Sequence, residues 1–209
     1  MLLQSGVVVR LMNIGIYCYD NAEILDFAGP FEVFSTASRV SDDQPFTVFL
    51  VSETDGPVCA RAGFTVIPNY HFGNHPQIDV LIVVGGVHHH EMSKPAVLSW
   101  IGKQAAQSSL TASVCTGVFL LAAAGVVSDH KVTTHWEDIP NLKECFPSLK
   151  VCEKLRWVDS GGVVSSGGIS AGIDMSLYLV ARLHSEDLAI RTARQMEFDW
   201  SMPMDKTLS

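Results

Sequence analysis

The sequence predicts an α/β fold, a mainly parallel sheet covered by helices on both faces. Three observations lead there. Short apolar runs alternate with helical patterns along the chain. One of the runs, 79–84, is strongly apolar, as strands buried on both faces are, and 110–114 reads as a second buried strand. Apolar residues make up 47% of the 209 positions and charged ones 17%, so much of the chain has to be buried. Some of that apolar surface suits a subunit interface, and a homodimer is expected.

The elements follow in order. Residues 13–19 are a short apolar run closed by Asp20-Asn21, a buried strand ending in turn residues. A loop over 22–28 leads to Gly29-Pro30, which opens a helix to about Arg39, because proline suits the first helical position. Residues 46–52 form the next strand, 58–61 with 64–67 a hairpin, and 79–84 a parallel strand running into Gly85-Gly86. Ser93 caps a helix reaching about Gln107. After the strand 110–114, residues 116–124 are apolar on every side, a helix central to the domain and stopped by Gly125. A strand at 132–134, a helix at 136–146 and a hairpin of 151–158 with 163–166 follow, the hairpin at a sheet edge. Helices from about Ala171 to Leu183 and after Ser185 finish the chain.

No internal repeat or linker divides the chain, and a single domain over 13–200 is expected, with 1–12 an N-terminal extension and 201–209 a C-terminal tail. The net charge of −8, with only 14 Lys and Arg, offers no basic stripe for phosphates, so nucleic acid is not an expected partner. Five irregularly spaced cysteines make no disulfide framework and point to a reducing compartment. No signal peptide or membrane span is read, and the expected location is the cytoplasm. No phosphate loop or dinucleotide fingerprint occurs, so no cofactor is expected.

The strongest chemical signal is Ala112-Ser113-Val114-Cys115-Thr116-Gly117, an apolar strand turning at once into a buried helix. That is a nucleophile elbow, with small residues two before and two after the cysteine so that strand and helix can approach. Cys115 is read as an exposed nucleophile whose thiol pKa is lowered by helix-terminal amides, against the alternative of a structural buried cysteine. Cys18, Cys59, Cys145 and Cys152 lack that context. Gly85, Gly86 and Val87, at the end of a neighbouring strand, can present bare backbone amides as an oxyanion site, or form only a tight turn. Asp26 stands in an apolar run, so it is either a buried carboxyl that handles a proton or a cap for the helix after Gly29. His135 is a candidate base or a packed histidine. His88-His89-His90 looks metal-like, but adjacent residues cannot all turn to one ion, and no metal site is expected.

These residues resemble the ThiJ/PfpI superfamily, which has the class I glutamine-amidotransferase-like fold. The resemblance rests on Leu25-Asp26-Phe27-Ala28-Gly29-Pro30, Gly85-Gly86, Ser113-Val114-Cys115-Thr116-Gly117, Thr133-Thr134-His135-Trp136 and the run 167–174. It implies a flavodoxin-like three-layer sandwich. Within the superfamily the chain looks most like isocyanide hydratase and the amidase-like domains of AraC-type regulators. The first likeness implies a lyase that hydrates an isocyanide to an N-substituted formamide, with Cys115 attacking the carbon and Asp26 handling the proton. Thr116 would then orient the site, and Gly168 and Ile169 would pack beside the elbow. The family often has proline before the Gly-Gly pair, where this chain has Val84. The competing expectations are a non-catalytic ligand-sensing domain and a redox sensor. The enzyme is preferred because the sequence shows no helix-turn-helix region after its last predicted helix.

Overall fold

Strand β1 (Met12–Tyr17) starts one residue before its predicted position, and its last four residues are buried. The computed structural model describes residues 11–200, so the extension over 1–10 and the tail over 201–209 lie outside the described residues. Helix α1 (Ile24–Arg39) begins five residues earlier than Gly29, which corrects the sequence expectation. Pro30 is therefore inside the helix, where it has no N–H to give the Asp26 carbonyl one turn back. The apolar face that includes Phe27, Val33, Phe34 and Ala37 is buried deeply enough to hold the helix across that lost bond.

Strand β2 (Phe46–Ser52) matches its predicted span. The predicted hairpin is the short antiparallel pair β3 (Val58–Cys59) and β4 (Thr65–Val66). Sequence reading missed β5 (Tyr70–His71), a two-residue strand too short for periodicity to register. Next come the wholly buried β6 (Val80–Val83), the single-turn α2 (His89–Met92) and α3 (Pro95–Gln107). Ser93 does not cap α3. It closes α2, its hydroxyl donating to the His90 carbonyl at 2.7 Å, and Lys94 is the residue before α3.

Strand β7 (Leu110–Val114) and helix α4 (Gly117–Ala123) form the elbow, and Gly125, at φ +73°, ends the helix region. Strand β8 (Lys131–Val132) is shorter than expected, and the predicted helix over 136–146 divides into a 3₁₀ turn, Trp136–Asp138, and α5 (Ile139–Cys145). Pro140 lies in the first turn of α5, where its missing N–H breaks no helical bond. Strands β9 (Lys150–Val151), β10 (Trp157–Asp159) and β11 (Val163–Ser166) precede α6 (Ala171–Leu183) and α7 (Glu186–Gln195). The Ser185 hydroxyl caps α7 by accepting from the Leu188 amide at 3.2 Å.

Seven strands form one sheet in the order β10-β11-β7-β6-β1-β2-β5, parallel except for the antiparallel edge pair β10 and β11. Helices α1, α6 and α7 pack together on one layer, and α2, α3 and α4 pack together on another. The order reverses between β1, whose next strand is on one side, and β6, which lies on the other. In open parallel sheets that switch point, at the carboxyl ends of the strands, is where ligands bind. Here it brings together the segments that follow β1, β6, β7 and β11.

Candidate active site

Cys115 leaves β7 with φ +56°, a left-handed conformation costly for a residue with a side chain. The strain is held from both sides. Its N–H is shared between the carbonyls of Ser166 and Gly167, each at 3.2 Å, and its own carbonyl accepts from the Thr134 hydroxyl at 2.8 Å. The close approach expected of an elbow is present: a Cβ on Gly117 would fall 2.1 Å from the Val83 carbonyl oxygen. On Gly85 it would fall 2.5 Å from the Thr116 nitrogen.

Asp26, placed in a loop by sequence reading, is in the first turn of α1 and fully buried. One carboxylate oxygen accepts the Gly85 N–H at 3.1 Å, and the other accepts the Ile169 N–H at 3.1 Å. A hydrogen bond also links its side chain to that of Cys115. The helix-cap alternative is not what the structure shows, because these partners come from other strands' ends.

Burial raises the Asp26 pKa to about 7 against the pull of the two amides, and the charge of Glu23 adds to the rise. Cys115 differs from the sequence expectation. It is 7% exposed, and burial, followed by the negative charge of Asp26, pushes its thiol well up although the Thr116 amide works the other way. One amide cannot offset desolvation beside a carboxylate. The carboxyl is thus the group that ionises near neutrality, and once charged it keeps the neighbouring thiol protonated.

The amides expected to stand bare are occupied. Gly85 N–H goes to Asp26, Gly86 N–H to the Thr116 hydroxyl at 3.0 Å, and Val87 N–H to the Asn21 carbonyl at 3.1 Å. The Gly-Gly turn thus anchors the acid and the elbow in place of presenting an open oxyanion hole. Thr116 is buried, and its hydroxyl also donates to the Gly86 carbonyl at 3.1 Å.

The segment after β11 closes the far side. A Cβ on Gly168 would meet the His135 ring at 2.3 Å and the Cys115 sulfur at 3.2 Å, so imidazole and thiol flank one glycine. Ile169, at φ +56° and branched at Cβ, is the second strained residue of the site. His135 is drawn toward carboxylates, with Nδ1 3.5 Å from Asp138 and 3.8 Å from Glu137, and not toward backbone as the packed alternative supposed. Of the three consecutive histidines, His88 turns inward while His89 and His90 are exposed. A surface hollow of about 630 Å³ lined by Phe72, His75 and Gln104 shares no lining residue with the Cys115 site.

Sequence reading missed Tyr19 and Glu91, and weighed His88 only within a metal-like run. All three are buried, and Glu91 accepts from the Tyr17 hydroxyl at 2.5 Å and pairs with Lys94 at 2.7 Å. The position of Tyr19 just past β1, where this fold collects active groups, was the signal available for it. Among the described residues no helix is long and apolar enough to cross a membrane.

Comparison with known proteins places the chain in a family. The model of the DJ-1/PfpI family matches residues 12–182. Isonitrile hydratase of Pseudomonas putida is 33% identical over 196 residues, covering 93% of this chain and 82% of that protein. The HTH-type transcriptional regulator GbdR of Pseudomonas aeruginosa is 29% identical over 177 residues, 85% of this chain, which spans 48% of the regulator's length. Among solved structures, a ThiJ/PfpI family protein from Pseudomonas syringae superposes with a TM-score of 0.81 at 25% identity, over 94% of this chain and 79% of that one.

Proposed function

We propose that this chain, which belongs to the DJ-1/PfpI family, is a cysteine-dependent hydratase that adds water to a small isocyanide and releases an N-substituted formamide. The observation that carries the reading is the placement of Asp26, a buried carboxyl with a pKa of about 7 hydrogen-bonded to the Cys115 side chain. A group titrating near the working pH suits both taking and giving a proton.

In this reading Asp26 takes the S–H proton as the sulfur of Cys115 bonds to the terminal isocyanide carbon. It then passes that proton to the same carbon, leaving a thioimidate on sulfur. Water adds to the thioimidate carbon with Asp26 as base, the nitrogen gains a proton, the C–S bond breaks, and the formamide departs as the thiol is restored. Gly85 and Ile169 hold the carboxyl in place with their amides, and Thr116 fixes the elbow to the Gly86 turn. The protein would act as a cytoplasmic homodimer of one domain, taking a small molecule as substrate.

The test is formamide release from a simple isocyanide by the wild type, Cys115→Ala and Asp26→Ala. Turnover by the wild type that both substitutions abolish supports the assignment. The second reading is a ligand-sensing domain, favoured by the match to a regulator of about twice the aligned length. Absence of turnover with saturable binding of a small ligand would move the assignment there, and peroxide-driven mass gain at Cys115 would move it to a redox sensor.

A further inference from the structure

Ile169 holds φ +56° although it is 41% exposed, so burial does little to keep a residue branched at Cβ in that costly left-handed conformation. Yet its N–H is one of the two amides on the Asp26 carboxylate, at 3.1 Å, and Gly168 beside it is flanked by the sulfur and the His135 ring. Contacts outside the site have to hold this turn.

Arg156, the residue before β10, brackets it. Its carbonyl accepts the Gly167 N–H at 2.9 Å, which extends the pairing of β10 with β11 by one step. Its guanidinium reaches the start of α6. There Nε donates to an Asp174 carboxylate oxygen at 2.8 Å, Nη2 donates to the same oxygen, and Nη1 and Nη2 lie 3.3 and 3.4 Å from the Ser170 hydroxyl that accepts from them. Serine and aspartate at these positions ordinarily serve the amides of a helix's first turn. Here Ser170, at the N-cap of α6, makes no cap bond with its side chain, and Asp174 is taken by the arginine. On the inner side, a Cβ on Gly172 would fall 2.9 Å from Val114 and one on Gly29 3.0 Å from Ile173, so the helix is wedged against β7 and α1. Those contacts seat α6, and the Arg156 clamp seats the turn that precedes it.

We propose that Arg156 is a positioning residue of the Cys115 site: by gripping Ser170 and Asp174 while its own carbonyl holds Gly167, it keeps Ile169 left-handed and its N–H on the Asp26 carboxylate. Without the guanidinium, Ser170 is free to cap α6 in the ordinary way, and Ile169 can relax to an ordinary φ. The carboxylate then loses one of its two amides. It still faces the Gly85 N–H, the Cys115 thiol and the charge of Glu23, with Tyr19 also in electrostatic reach, and it holds its proton to higher pH because the Ile169 amide favours the charged form. The inference rests on the pairing of Cys115 with Asp26 in the proposed function and leaves the substrate open.

Arg182 supplies the control. It ties the other end of the same helix to the hairpin of β10 and β11, donating to Asp159 at 2.8 Å and to the Gly161 carbonyl at 2.7 Å. Amide hydrogen exchange of Ile169, followed by NMR, should be faster by about tenfold or more in Arg156→Ala and in Asp174→Asn, and unchanged in Arg182→Ala. Arg156→Lys keeps a cation beside Asp174 and should fall between. Iodoacetamide alkylation of Cys115 against pH should have its midpoint at about 7 in the wild type, and higher by about one unit in Arg156→Ala and Asp174→Asn. Ile169 exchange unchanged in Arg156→Ala, or accelerated as much in Arg182→Ala, overturns the inference. So does a midpoint that stays in place while Ile169 opens. If Arg156→Ala does not fold, Asp174→Asn decides by the same comparison. Formamide release is no part of these measurements, so the hydratase reading stands or falls apart from them.

Discussion

The Asp26 carboxylate reaches across 143 residues to accept the backbone N–H of Ile169 at 3.1 Å, so the group proposed to move the proton also positions the strained residue before α6. Its other oxygen accepts the N–H of Gly85 at 3.1 Å. A single buried carboxyl thereby joins the carboxyl ends of β1, β6 and β11 around the sulfur of β7. Removing it should alter chemistry and structure together, and pH is the cleaner probe.

The first prediction concerns the reactivity of Cys115. Above about pH 7 the ionised Asp26 carboxylate can take the S–H proton as the sulfur attacks, so Cys115 becomes reactive there although burial and that same charge keep the resting thiol protonated. Alkylation of Cys115 by iodoacetamide, followed by peptide mass spectrometry, should rise through about pH 7 and then level off. The exposed Cys59 and Cys145 serve as internal references. In Asp26→Asn the step near 7 should disappear, and a step that persists would assign the ionisation to another group.

Stability should carry the same signature with a defined sign. The folded-state pKa of Asp26 is raised from 3.8 to about 7, so between those values the folded protein keeps a proton that the unfolded chain has lost. Stability from this group is full below the unfolded pKa and declines as pH rises to the folded one. The rise corresponds to roughly 4 kcal/mol. Urea unfolding of wild type and Asp26→Asn from pH 4 to 8 should show the wild type losing stability relative to the variant across that window. Parallel curves would mean that Asp26 is ionised throughout.

The sequence carried the frame of this site but not its wiring. Phe46–Ser52 and Leu110–Val114 are strands whose mainly apolar runs are short and bounded by turn residues, and such runs are legible without a partner. The start of α1 was not, because Pro30 looked like a first-turn proline and is an interior one, tolerated through the burial of Phe27, Val33 and Phe34. That misplacement put Asp26 in a loop. Which donors a carboxylate finds depends on residues 59 and 143 positions away, and no local pattern encodes that. The same holds for the thiol. A helix terminus argues for a lowered pKa, and only the packed structure shows burial and Asp26 outweighing it.

Gly168 gives a steric test. A methyl there would lie 2.3 Å from the His135 ring and 3.2 Å from the sulfur, so Gly168→Ala must displace one of the two. Displacement of the nucleophile by about 1 Å costs on the order of 100-fold in rate. Turnover of an isocyanide should therefore fall by about that factor, with Cys115 alkylation slowed as well. Combining Gly168→Ala with His135→Ala, which clears the nearer contact, should restore part of the alkylation rate. No recovery would place the disturbance at the sulfur itself.

Thr116 separates anchoring from packing. Its hydroxyl accepts from Gly86 N–H at 3.0 Å and donates to the Gly86 carbonyl at 3.1 Å, while its amide faces the sulfur. Thr116→Val keeps the shape and leaves both Gly86 groups without these partners, which should cost about 1–3 kcal/mol in urea unfolding. Thr116→Ser removes a methyl and keeps the hydroxyl, so it should retain most of the stability and the Cys115 alkylation profile. If only Ser loses stability and slows alkylation, packing of the methyl sets the elbow. If only Val slows alkylation, the Gly86 turn is held against Cys115 by the hydroxyl, and the amide at the sulfur keeps its aim through a bond made one residue away.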